Sequence, residues 1–185
     1  GKETQIVDKN GHSRTVTVAH PVDGGTLTTN DALLHYYKTP LSKYSGGNQL
    51  DFFTNLSKEN KILRNNAGCW ESDPNGTLMI VFQTKEKDDY YPRSFEDAFI
   101  QINRDFMIAH QDTFESLKNR DKFDEKDASG KYMHDTYDLA TTCVKNKSSF
   151  ALDILLNSKA NETCTFSNWK IPPYIEEGLL WLRKN

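Results

Sequence analysis

No stretch of this sequence is apolar for long enough to cross a bilayer, and none has the charged, apolar and small-residue order of a signal peptide. A membrane partner is therefore not expected, and a cytoplasmic location is. Cysteine is scarce: Cys69, Cys143 and Cys164 are odd in number and show no C-x-x-C spacing. That argues against a disulfide framework or a zinc site and for reduced thiols. The five histidines, His12, His20, His35, His110 and His134, are scattered without an H-E-x-x-H pattern, so no histidine metal site is assigned. Positive charge is not in excess either. The net charge is −3, which leaves no global field to draw in nucleic acid; contact with DNA would need a local basic patch or bridging metal ions. Asn-x-Ser/Thr triplets at Asn55, Asn75, Asn146 and Asn161 are chance matches in a chain rich in asparagine and lysine.

What is present describes a folded domain. The chain has 185 residues, 36% hydrophobic and 26% charged, which suits one domain, or a large piece of one, with a sizeable core. An aromatic share of 11% supports a packed interior, because each buried ring removes a large apolar area from water. The first residue is Gly1, not Met, and a strand-like segment follows at once. The expectation is a piece cut from something longer.

Taken in order, residues 4–22 read as a β-hairpin. Gln5-Ile6-Val7 and Thr15-Val16-Thr17-Val18 flank Lys9-Asn10-Gly11, and Asn-Gly supplies the positive φ of tight hairpins. Asp23-Gly24-Gly25 forms a loop. Thr28 to Asp31 offers caps for a short helix through Tyr37, stopped by Pro40. Leu50 to Leu56 suggests another short helix and turn. Leu78-Met79-Ile80-Val81-Phe82, after the turn sequence Asp73-Pro74-Asn75-Gly76, is the strongest buried strand. Arg120 to Lys131 alternates in charge and reads as a solvated connection. Helices are expected from about Asp135 to Lys145, from Phe150 to Leu156 with Ser148 or Ser149 as cap, and from Pro173 onward with Ile175, Leu179 and Leu182 as an inward stripe. The fold class is α/β, in three successive segments: 1–92, 93–145 and 146–185.

The longest helical pattern opens at Arg93-Ser94-Phe95-Glu96-Asp97-Ala98-Phe99. Ser94 followed three residues later by Asp97 resembles a capping box. Phe95, Ala98, Phe99, Ile102, Phe106 and Ala109 then recur at spacings of three and four, with a slip in phase before Phe114 and Leu117. This places Glu96 at the border of the apolar face and Asp97 on its far side. Acidic first-turn residues also complement the helix dipole, so Asp97 has an ordinary reading beside a functional one. Arg93 and Glu96 can equally be a local ion pair, and Lys147 a surface lysine.

Three segments in order resemble the C-terminal part of the Toprim region of OLD-family (overcoming lysogenization defect) ATP-dependent endonucleases. Arg93 to Ile100 is similar to the motif R-[ST]-F-E-D-A-F. Lys147-Ser148-Ser149-Phe150-Ala151-Leu152-Asp153-Ile154 is similar to K-x-x-F-A-x-x-[IL], and Trp169 to Leu179 to W-x-[IV]-P-x-Y-I-x-x-G-L. Val22 to Leu34 also resembles the stretch after that family's central acidic motif. The resemblance implies a Toprim-type α/β domain, normally coupled to an ABC-type ATPase, that hydrolyses phosphodiesters with two metal ions in foreign-DNA defence or DNA processing. On that basis Glu96 and Asp97 would contact Mg²⁺ or Mn²⁺, Arg93 would steady a carboxylate or phosphate, and Lys147 would contact the scissile phosphate. Partners would be DNA, the upstream ATPase and Toprim part, and further copies in a homo-oligomer.

Three departures are plain. No D-x-D follows an apolar strand, and no counterpart of the family's first glutamate lies in this chain. No G-x-x-x-x-G-K-[ST] is present either, so ATP would enter only through a domain outside this chain. The chain alone is accordingly expected to be inactive. The competing reading is a non-catalytic scaffold or interaction module that keeps the fold without its metal site.

Overall fold

The structure is a computed structural model that describes residues 2–7, 10–18, 30–85, 90–159 and 168–184. Among these the architecture is mixed α/β, with five strands and seven α-helices. In chain order they are β1 (Lys2–Val7), β2 (Ser13–Val18), α1 (Asp31–Tyr36), α2 (Lys38–Ser42), α3 (Gln49–Thr54), β3 (Ile62–Asn66), β4 (Cys69–Ser72), β5 (Leu78–Met79), α4 (Phe95–His110), α5 (Thr136–Thr142), α6 (Lys147–Leu156) and α7 (Pro173–Lys184). The loop at Asp23-Gly24-Gly25, the stretch Val22–Thr29 of the family resemblance, and Cys164 lie outside the described residues.

The chain forms two compact units that interleave along the sequence: Gly1–Pro21 with Glu86–Pro172, and Val22–Lys85 with Pro173–Asn185. This differs from a division into three consecutive segments.

In the first unit β1 and β2 form an antiparallel hairpin in register Val7↔Ser13, and Gly11 takes a φ of 82° at the turn, where only glycine is unstrained. The core lies under α4. Phe99, Ile100, Met107, Phe114, Leu117, Phe123, Leu139 and Phe150 are buried together, with the Phe99 ring 6.0 Å from that of Phe150 and 5.5 Å from Trp169. The phase slip begins earlier than the apolar spacing implies. Asn103 leaves helical geometry (φ −128°, ψ 28°) inside α4. The buried line after it is Phe106 and Met107, while Ile102 is only half-buried and Ala109 exposed. The cause is a side-chain amide that bonds outward: Asn103 Nδ2 donates to the Phe99 and Lys170 carbonyls at 3.0 and 2.8 Å, and its Oδ1 accepts from Lys170 N at 2.6 Å. Residues 120–131 are largely exposed, as expected of a solvated connection, but they are anchored at Phe123. Arg120–Phe123 forms a 3₁₀ turn with Phe123 fully buried, and Lys126 bridges to Tyr132.

In the second unit Leu33, Tyr37, Phe52, Phe53, Leu63 and Phe82 make the core. Asn30 caps α1, its side chain accepting from Ala32 N and Leu33 N. Pro40 does not stop helical structure; it sits in the first turn of α2, where its missing N–H costs nothing. The β3–β4 hairpin turns on Ala67-Gly68, both at positive φ. The strand at Leu78 is shorter than expected: only Leu78–Met79 pair with β3, followed by one more ladder bond from Ile80 N to Lys61 O at 2.9 Å. On α7 the expected stripe holds only at Ile175, which is half-buried, while Leu179 is 51% and Leu182 64% exposed. The half-buried residues are Tyr174, Ile175, Glu177, Gly178 and Trp181, and the buried Lys61 ammonium takes its carboxylate from this side, Glu177 Oε2 at 2.6 Å.

Candidate functional site

The start of α4 is built by two hydrogen-bond devices. Ser94 adopts extended backbone and its side chain accepts from Asp97 N at 3.3 Å, satisfying one of the helix's orphan donors. The reciprocal half of the capping box is displaced by one residue: Asp97 Oδ2 accepts from Arg93 N at 3.0 Å. The Tyr90 hydroxyl donates to the same carboxylate, 2.7 Å from Oδ1 and 2.8 Å from Oδ2. Asp97 is 1% exposed, so it does not face solvent on the far side of the helix. Burial, reinforced by the Asp97 charge, pushes the Tyr90 phenol above its usual range, which keeps it a donor. Asp97 thus pins the loop that carries Arg93.

Glu96, one residue earlier, is 4% exposed. Its Oε2 lies 3.2 Å from Lys147 Nζ, whose side chain is 73% exposed. Lys147 is the first residue of α6, and the cap is Asn146, which accepts from Ser149 N at 2.9 Å, in place of the expected Ser148 or Ser149. The rival Lys145 is turned elsewhere, with its Nζ 3.4 Å from the Glu115 carbonyl. Glu96 and Lys147, distant in sequence, therefore meet at one place.

Arg93 is exposed. Its guanidinium lies 4.6 Å from the centre of the Tyr137 ring, a cation–π arrangement that the sequence does not signal. Tyr137 belongs to the first turn of α5.

These donors bear directly on the metal expectation. Both oxygens of Asp97 already accept hydrogen bonds, so of the two adjacent carboxylates Glu96 is the one that fits as an external ligand. Among the described residues no group of three or more His, Cys, Asp or Glu side chains is placed to hold a metal ion. The described residues supply at most one corner of a divalent-ion site.

A second polar cluster escaped the sequence reading. His134, 2% exposed, has Nδ1 hydrogen-bonded to Asp138 Oδ2 and Nε2 facing both Arg14 Nη2 and Glu125 Oε2, the last at 3.2 Å. Arg14 also pairs with Glu125, and Lys122 Nζ lies 3.4 Å from Asp138 Oδ2. Burial alone would raise the Asp138 carboxyl, but the hydrogen bond from His134 and the Lys122 charge outweigh it and hold the group below the usual carboxylate range. The one local trace of this cluster in the sequence is the spacing of four between His134 and Asp138; Arg14 and Glu125 arrive through the fold. Cys143, near the second cluster, is buried, and that burial pushes its thiol up.

No family model, curated protein or solved structure matches this chain.

Proposed function

We propose that this chain is the distal part of a metal-dependent DNA endonuclease, the C-terminal portion of a Toprim-type region coupled in the complete protein to an ABC-type ATPase. The observation that carries the reading is the Glu96–Lys147 pair. A carboxylate 4% exposed is matched to an ammonium on a side chain 73% exposed, at 3.2 Å. As a structural ion pair this is a poor arrangement, because burying Glu96 carries a desolvation cost while a solvated lysine returns on the order of 0–1 kcal/mol. As a site it is sensible. The lysine stem can leave Glu96 for a non-bridging phosphate oxygen, and the carboxylate is then free to take a divalent ion.

In the complete centre Mg²⁺ or Mn²⁺ would activate water and neutralise the leaving oxygen. This chain's own contributions are electrostatic and positional. Lys147, in the first turn of α6 where the helix dipole favours an anion, holds charge that grows on the phosphate. Asp97, through Arg93 N and Tyr90, fixes the loop that presents Arg93. The remaining carboxylates of the centre would have to come from a D-x-D strand that this sequence does not contain.

The test is cleavage of DNA with Mg²⁺ or Mn²⁺, first by the purified chain and then by a polypeptide in which the same chain follows an apolar strand ending in D-x-D. The expected result is no cleavage by the first and EDTA-sensitive cleavage by the second, abolished by Glu96→Ala. Robust EDTA-sensitive cleavage by the chain alone, indifferent to Glu96→Ala, would sink both the reading and the residue assignment. The scaffold alternative draws on the absence of a metal-holding group among the described residues; it predicts no cleavage in either form.

A further inference from the structure

We propose that Tyr91 and the Arg93–Tyr137 pair form a stacking platform for unpaired bases, so that single-stranded DNA, and not intact duplex, is the strand presented to Glu96 and Lys147. The inference rests on the nuclease reading and names its substrate class. It starts from a short segment of the first unit that is tied at both ends. The Tyr90 hydroxyl and Arg93 N both donate to the Asp97 carboxylate, at 2.7 and 3.0 Å. Between them Pro92 is buried, and its ring fixes the backbone φ. The two side chains that flank it are left outside: Tyr91 is 39% exposed, and Arg93 is exposed as well. A single exposed ring is ordinary on a protein surface. An exposed ring and an exposed guanidinium on a segment tied to a buried carboxylate are ordered in advance, so a ligand that uses them loses little further entropy.

Arg93 carries the chemistry. Its guanidinium lies over the Tyr137 ring, 4.6 Å from the centre, and Tyr137 is half-buried in the first turn of α5. That seat restrains a side chain that would otherwise sample many rotamers, and the exposure of Arg93 leaves guanidinium surface open to solvent. A planar, weakly hydrated cation accepts a nucleobase face to face; the compact ammonium of lysine does not. In a duplex each base is already covered above and below by its neighbours, so such a stack takes an unpaired base.

Charge points the same way. With a net charge of −3 the chain has no broad positive field with which to hold a duplex backbone. Stacking needs no such field and contributes roughly tenfold in affinity per base. Arg93 stands three residues before Glu96, whose Oε2 lies 3.2 Å from Lys147 Nζ. A base on the platform therefore carries its phosphate to the helix start where those two side chains meet.

The experiment measures binding to the full chain by fluorescence anisotropy, in EDTA so that cleavage plays no part. The probes are oligo(dT) of about 12 nucleotides, within the site size of single-strand binders, a strand of the same length with abasic sites throughout, and a blunt duplex. Oligo(dT) should bind roughly tenfold or more tighter than either of the others. Arg93→Lys keeps the charge and loses the plane; it should weaken oligo(dT) binding roughly tenfold and leave the abasic strand unchanged. Tyr91→Ala should have the same two effects. Both side chains are exposed, so neither variant threatens the fold. Abasic strand or duplex bound as tightly as oligo(dT), no binding of oligo(dT), or either variant equal to wild type would overturn the platform. Each of these leaves the nuclease reading to its own test, Glu96-dependent cleavage by the D-x-D-containing polypeptide.

Discussion

Asn103 is the most exacting test of the packing described above. Its amide is 5% exposed, breaks the helical geometry of α4 and makes three hydrogen bonds, two of them to the backbone of Lys170. Asn103→Ala removes the two long-range bonds, each contributing about 1 kcal/mol net, and leaves the Lys170 groups in search of water. Against this, alanine gains about 0.5 kcal/mol of helix propensity over asparagine. The balance is a loss of about 2 kcal/mol. Asn103→Asp keeps an acceptor for Lys170 N but sets carboxylate oxygens against the Phe99 and Lys170 carbonyls in a nearly dry place. That should cost more, about 3 kcal/mol or above. Urea unfolding followed by far-ultraviolet circular dichroism, with the slope checked for constancy, reads both variants. An Asn103→Asp variant as stable as Asn103→Ala, or an Asn103→Ala loss below about 0.5 kcal/mol, would refute the reasoning.

Other outcomes follow from single contacts. Phe99→Ala should destabilise by about 3–5 kcal/mol, since the ring is fully buried against Phe150 and Trp169; a urea shift worth less than roughly 1 kcal/mol would mean its packing is misassigned. Ala67→Asn should stabilise by about 0.5–1 kcal/mol, because alanine holds a φ of 51° in the two-residue turn; an unchanged midpoint in thermal melts would contradict this. Gly76→Ala should destabilise by at least about 2 kcal/mol, as its Cβ would stand 2.2 Å from the Leu63 carbonyl oxygen; a melt indistinguishable from wild type would count against the close approach. Asp138 is held below the usual carboxylate range, so its stabilisation is complete above about pH 4 and fades as pH falls through the folded-state value. Asp138→Asn should flatten the acid limb of a plot of Tm against pH, and an unaltered limb would argue against the assignment.

Much of the local structure was legible because it is written in neighbouring residues. Ser94 as a cap, Pro173 at a helix start and Gly11 at positive φ each follow from chemistry within one turn of chain. The β3–β4 hairpin was not, because Ala67-Gly68 lacks the asparagine that usually announces such a turn. Pro40 misled for a different reason: a proline marks a stop inside a helix and a start in its first turn, and only the cap at Tyr37 distinguishes the two. The α7 stripe failed at Leu179 and Leu182 because the helix face is set by Glu177, the partner of Lys61, while Ile175 stays half-buried. At the candidate site, Glu96 and Lys147 were singled out from the sequence, while the burial of Asp97 under Tyr90 and the seating of Arg93 on Tyr137 were not. Those depend on a loop returning to a helix start, which no local spacing encodes. The His134 cluster is the extreme case, with Arg14 and Glu125 brought in by tertiary structure alone.

The central claim, that Lys147 stabilises charge on a phosphate, is tested most directly by comparing Lys147→Ala with Lys145→Ala in the D-x-D-containing polypeptide, measuring DNA cleavage rate and DNA affinity together. Lys147 is mostly solvated, so its removal should change stability by under about 1 kcal/mol, and unfolding will not mimic a catalytic effect. The account predicts a cleavage rate lower by roughly 10² or more for Lys147→Ala with affinity little changed, and almost no effect of Lys145→Ala. Equal and mild effects of the two substitutions would contradict it and leave Lys147 as part of a solvated basic surface.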